Sequence, residues 1–152
     1  LPGAAVLDRH EVDAALTLDA AWADAIRQRW SALVTLAVLG DLKTQRLGAL
    51  PRFRRRVLDL GERLRSLLAP REWIPQPRDQ LKSALASALS LRESLAQVEA
   101  GVAEFDDGPD LDPLRAELAA FVAAVAALEP RMNAWASLLA RRSEEDDNPS
   151  PV

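Results

Sequence analysis

His10 is the chain's only histidine and stands beside Glu11 at what reads as a helix start. An imidazole next to a carboxylate could accept a phosphoryl group or move a proton. The residues that follow carry no supporting motif, and no nucleotide-binding segment exists, so the pair reads as an exposed helix terminus. The chain has no cysteine, which excludes disulfides, thiolate metal sites and a thiol nucleophile together. With a single histidine, the Glu-x-x-His metal pairs of di-iron helical bundles are missing as well.

The six glycines are scattered, and each reads as a turn or cap residue, not part of a phosphate loop. No Gly-x-Ser-x-Gly elbow occurs. Ser83, Ser87, Ser90 and Ser94 recur at helical spacing and read as small polar packing positions. Trp22, Trp30, Trp73 and Trp135 read as core or rim anchors, with a ligand pocket near Trp30 or Trp135 as the minor alternative. The expectation is therefore a protein that is not an enzyme, with no catalytic residues, no metal and no cofactor.

What the chain has in abundance is apolar periodicity. Leu111, Leu114, Leu118, Phe121, Val125, Leu128, Met132, Trp135 and Leu139 form an unbroken alternation of three- and four-residue steps. Leu50, Phe53, Val57, Leu60, Leu64 and Leu67 repeat it. Leu81, Leu85, Ala88, Leu95, Val98, Val102 and Phe105 do so with one charged lapse at Arg92. A stripe at this period lets long helices lie side by side.

Start and stop signals then divide the chain. Asp8 and Glu11 resemble a capping box that opens a helix near Arg9, with Val12, Leu16, Ile26, Trp30, Leu33 and Ala37 on one face. Asp19 interrupts that face, so a bend or break is expected at 17–19, and Gly40 supplies the stop. Residues 41–48 read as a short helical connector. The second long helix spans 51–68, with Pro51 tolerated in its first turn. Pro70, Pro75 and Pro77 make residues 70–77 a crossing loop, with Trp73 and Ile74 pinned onto the helices. The third helix is expected over 78–105 and stops at 106–109. The fourth opens at Asp112-Pro113 and runs to about Arg142, kinked at Pro130 without losing phase.

These spans predict an all-α fold, an antiparallel four-helix bundle with long coiled-coil-like helices and one Pro-rich crossing loop. Residues 1–143 form one domain, and 144–152 a disordered acidic tail. No run reaches the ~18 apolar residues that cross a bilayer; the longest, 118–128, has eleven. An intracellular, cytoplasmic location is the expectation. The start of the chain reads as a segment of a larger structural or regulatory protein, of viral tegument-like or bacterial kind.

Two faces invite partners. Across 118–128 the positions off the seam are Ala119, Ala120, Ala123, Ala126 and Ala127, so this helix is apolar all round and must be covered, by its own companions or by another molecule. The second helix instead carries Arg52, Arg54, Arg55, Arg56, Arg63 and Arg65. Residues 41–72 hold a net charge of +5, in a chain of net −4. Such a face could bind nucleic acid or an anionic membrane, but the arginines spread around the helix with no accompanying aromatics. The leading expectation is a protein–protein interaction or scaffold module that binds itself or another helical protein through the alanine face. Anion binding by the arginines comes second, and a small-molecule sensor third.

Overall fold

The computed structural model describes residues 7–37, 50–69, 74–104 and 111–147. Every element among them is helical: α1 (Arg9–Leu16), α2 (Ala20–Ala37), α3 (Leu50–Leu68), α4 (Pro77–Glu104), α5 (Asp112–Ala126) and α6 (Glu129–Asp147). The all-α class read from periodicity is the class observed. The connector at 41–48, residues 70–73 of the crossing loop and the stop at 106–109 lie outside the described residues.

The apolar period dictates what is buried. On α3, Phe53, Val57, Leu60, Leu64 and Leu67 are all core residues, one per turn on a single face. On α5 and α6 the seam from Leu111 to Trp135 is buried at every expected position, and Leu139 packs partly buried against it. The helices share one core: α3 packs on α4 and α2, α2 on α5, α1 on α4 and α6, and α4 on α5 and α6.

Three sequence expectations need correcting. On α4 the buried stripe is Leu81, Ala84, Ala88, Leu91, Leu95, Val98 and Val102. That is an unbroken three-four alternation, with Ala84 and Leu91 where Leu85 and Arg92 had been assigned. Leu85 is only partly buried, and Arg92 points outward to pair with Glu129 at 3.2 Å. The charged lapse disappears, because burying Arg92 would strand a cation while Leu91 one step away fills the same layer.

The fourth helix is two helices. The helix is interrupted at Ala127 and Leu128, where the Leu128 N–H reaches back three residues to the Val125 carbonyl at 2.9 Å. Pro130 thereby falls in the first turn of α6, where its missing N–H has no partner to lose. The seam nevertheless keeps phase across the break, with Val125, Leu128 and Met132 all buried. Helix α6 also continues to Asp147, past the expected end near Arg142 and into the acidic stretch.

Glycine is the third correction. Gly61 and Gly101 lie inside helices, not in turns or caps. A Cβ on Gly61 would overlap the six-membered ring of Trp30 and sit 2.8 Å from its Nε1; one on Gly101 would lie 2.8 Å from the Phe53 ring. These are close-approach positions, where absence of a side chain lets an aromatic ring lie against a helix backbone.

The expected interruption at 17–19 is present. Asp19 caps α2, its Oδ1 accepting from the Ala21 N–H at 3.1 Å and its carbonyl from the Ala23 N–H at 2.9 Å. Asp8 does precede α1, but its side chain makes no capping bond; the start is held by its carbonyl, which accepts from the Val12 N–H. The Arg9 guanidinium also reaches the Gln80 side chain and the Ile74 and Pro75 carbonyls, tying the start of α1 to the start of α4.

Candidate functional site

The outward face of α5 is where sequence and geometry converge. Ala119, Ala123, Ala126 and Ala127 are exposed and Ala120 is half-buried. The seam residues Leu118, Phe121 and Val125 turn inward on the same helix, so the alanines are what the neighbouring space meets. The stripe runs further than the five alanines: Ala116, Pro130 and Ala134 are exposed too and continue the same three- and four-residue steps. Over the nineteen residues 116–134, at 1.5 Å per helical residue, it extends about 28 Å.

The stripe positions carry no charge, and the charges that flank them are engaged elsewhere. Only Glu117, Glu129 and Arg131 are ionisable between 116 and 140. Glu117 pairs with Arg29 of α2 at 3.3 Å, Glu129 with Arg92 of α4, and Arg131 donates to the Thr17 carbonyl. All three are drawn sideways onto neighbouring helices. Water therefore faces methyl groups, one pyrrolidine ring and, at the far end, the Asn133 amide, without the Lys and Glu that normally clothe an exposed helix back.

The arginines of α3 are scattered by the helix itself. Arg52, Arg55, Arg63 and Arg65 are exposed, while Arg54 and Arg56 are half-buried. Three of the six turn to other polar groups: Arg56 to the Gln97 carbonyl, Arg63 to Ser90 Oγ at 2.8 Å and Asp59, and Arg65 to Glu62 at 2.9 Å. Their partners lie on α3 itself and on α4.

The serine ladder serves packing between α3 and α4. Ser94 is buried and donates to Asp59 Oδ2 at 3.1 Å, while Ser90 accepts from Arg63. His10 is exposed in the first turn of α1.

Three of the four tryptophans do something that spacing alone did not suggest. The Trp22 indole N–H donates to the Ala124 carbonyl at 2.8 Å and that of Trp135 to the Ala15 carbonyl at 2.7 Å. Trp30 donates to the Val57 carbonyl at 3.3 Å. A cleft of about 370 Å³ opens beside Trp30, lined also by Gly61, Leu64 and Leu68 with Arg27 and Arg65 at its rim. A second, of about 420 Å³, adjoins Trp135 and the end of α1.

The extension of the stripe to Ala116, Pro130 and Ala134 was missed from sequence, although the signal was available. These residues lie opposite the seam at the same period, and none is charged. Among the described residues no helix is long and apolar enough to cross a membrane. Comparison with protein-family models, with curated proteins and with solved structures finds no match to this chain.

Proposed function

We propose that this protein is a non-catalytic helical scaffold, an antiparallel four-helix bundle that docks another helix along the outer face of α5 and the start of α6. The observation that carries this reading is the uncharged stripe from Ala116 to Ala134, whose three flanking charges are all engaged elsewhere. Small side chains let a partner's backbone approach closely, and an exposed apolar ridge this long is costly to leave in water.

The bundle topology draws support from residue pairings. Going up α3 from Phe53 to Arg56, Asp59 and Arg63, the partners on α4 descend from Gly101 to Gln97, Ser94 and Ser90. Trp22 and Arg29 of α2 meet Ala124 and Glu117 of α5 in the same opposed order. With α1–α2 and α5–α6 each counted as one broken rod, four rods result.

The deciding experiment is sedimentation equilibrium at tens of micromolar, together with affinity capture of helical partners, on the native chain and on Ala123→Glu. Association that Ala123→Glu abolishes, with thermal stability unchanged, is the expected result. A native chain that stays monomeric and captures nothing overturns the proposal.

A second reading, a small-molecule sensor, is favoured by the clefts beside Trp30 and Trp135, whose volumes fall in the range of ligand pockets. Indole emission titrated with aromatic and aliphatic carboxylates tests it. A shift that disappears in Trp30→Phe supports this reading, and an unmoved spectrum across the panel counts against it.

A further inference from the structure

Each of the two interrupted rods leaves carbonyls without their ordinary helical donors, and at each break at least one of them accepts from a side chain of the other rod. Helix α1 stops at Leu16 and α2 starts at Ala20, so the Ala15 carbonyl is not carried on into a continuing helix; it accepts from the Trp135 indole at 2.7 Å. In the other rod the Leu128 N–H turns to Val125, and the Ala124 carbonyl that it would have served accepts from the Trp22 indole at 2.8 Å. Arg131 adds a third bond, to the Thr17 carbonyl inside the first break.

The pattern is reciprocal. Each donor sits after the break in its own rod and reaches a carbonyl before, or at, the break in the other. Packing follows the same division, because α1 lies on α6 and α2 lies on α5. The 28-residue α4 runs without interruption and contacts both pairs.

We infer that the two breaks are one coupled joint, about which α1 with α6 pivots against α2 with α5, and that neither break opens or closes without the other. If α1 and α2 joined, the Ala15 carbonyl would turn along the helix axis, toward the N–H of residue 19. The Trp135 indole, 1% exposed, would lose the carbonyl that it now meets at 2.7 Å. Joining α5 to α6 would return the Ala124 carbonyl to the Leu128 N–H and take the acceptor from Trp22, which is half-buried. There is also room for the movement: the cleft of about 420 Å³ is lined by Leu16, Thr17 and Leu18 of the first break, together with Trp135. The inference does not depend on any docking partner, since the joint belongs to the free protein.

Native-state hydrogen exchange, followed amide by amide on the full chain, tests it. Trp22→Phe keeps an aromatic ring and removes the N–H donor. It is expected to speed exchange at 20–24 and at 128–132 together, by roughly tenfold for one buried hydrogen bond, while the amides of 57–64 in α3 keep their rates. Pro130→Ala changes an exposed residue and restores a backbone N–H, so it gives a variant that folds. It is expected to shift exchange at 126–134 and also at 18–23 across the joint. Effects confined to the mutated rod show two independent breaks and overturn the inference. Acceleration that is uniform through α3 shows that the joint opens only by global unfolding, and overturns it equally.

Discussion

Gly61→Ala should destabilise this protein, although the same change at an ordinary helix-interior position stabilises it. Alanine in place of an interior helical glycine gains about 0.5–1 kcal/mol, chiefly by reducing the freedom of the unfolded backbone. At Gly61 the new methyl would occupy space now filled by the Trp30 ring, with its carbon 2.8 Å from Nε1. The indole is rigid, so it must swing away as a unit. Forcing an extra carbon into a filled contact costs about 1–3 kcal/mol. Displacement also breaks the 3.3 Å bond from Trp30 Nε1 to the Val57 carbonyl, a further ~0.5–1.5 kcal/mol before water recovers part of it. The net expectation is a loss of about 1–3 kcal/mol, and about 2–4 °C of melting temperature per kcal/mol for a domain of this size. Urea unfolding of four chains measures it: native, Gly61→Ala, Trp30→Ala and the double variant. With Trp30 truncated the clash is gone, and Gly61→Ala should now stabilise by about 0.5–1 kcal/mol. A reversal of sign between the two backgrounds is the signature of the contact. If Gly61→Ala raises the urea midpoint of the native background, the indole does not lie on that backbone and the argument for close-approach glycines fails.

The corrected α4 stripe separates three leucines. Leu91→Ala, at a position with no exposure, should cost about 2–5 kcal/mol in urea unfolding, Leu85→Ala distinctly less, and Leu89→Ala, 48% exposed, under about 1 kcal/mol. If Leu85 proves the most costly, the stripe runs as first read from sequence. Ser94→Ala should lose about 1 kcal/mol through its bond to Asp59, and a double cycle with Asp59→Ala should show that the two changes are not additive. Duplex DNA and phosphatidylserine vesicles should show no binding at physiological salt, because Arg56, Arg63 and Arg65 are already engaged. Binding at low salt that falls steeply with added salt and vanishes in Arg52→Glu/Arg55→Glu would instead establish anion recognition by α3.

Much of the fold was legible because the helical period is a property of the chain alone. The α3 stripe matched from Phe53 to Leu67, and Asp19 marked the first break by placing a carboxylate on an apolar face. On α4 the two candidate stripes share Leu81, Ala88, Leu95, Val98 and Val102 and differ only at 84 against 85 and 91 against 92. Preference for Leu85 over Ala84 selected the wrong one, although Leu91 offered an unbroken alternation. Hydrophobicity ranked the residues correctly, but it could not say that Ala84, not Leu85, would be the buried position of that layer. The candidate site was legible in its centre, as alanines opposite a seam, and truncated at both ends.

Other features were decided only in three dimensions. A proline across which the seam keeps its phase is compatible with a kink or with two helices. Two are observed here, and a tryptophan more than a hundred residues away supplies the donor that the Ala124 carbonyl lacks. Gly61 could be understood only once Trp30 lay on it, and only the fold shows that Arg29, Arg92 and the Thr17 carbonyl engage Glu117, Glu129 and Arg131, the charges flanking the alanine stripe. Periodicity is written along the backbone, where neighbours in sequence are neighbours in space. The partners of an orphan carbonyl, a missing Cβ or a surface charge come from other helices, and packing alone brings them together.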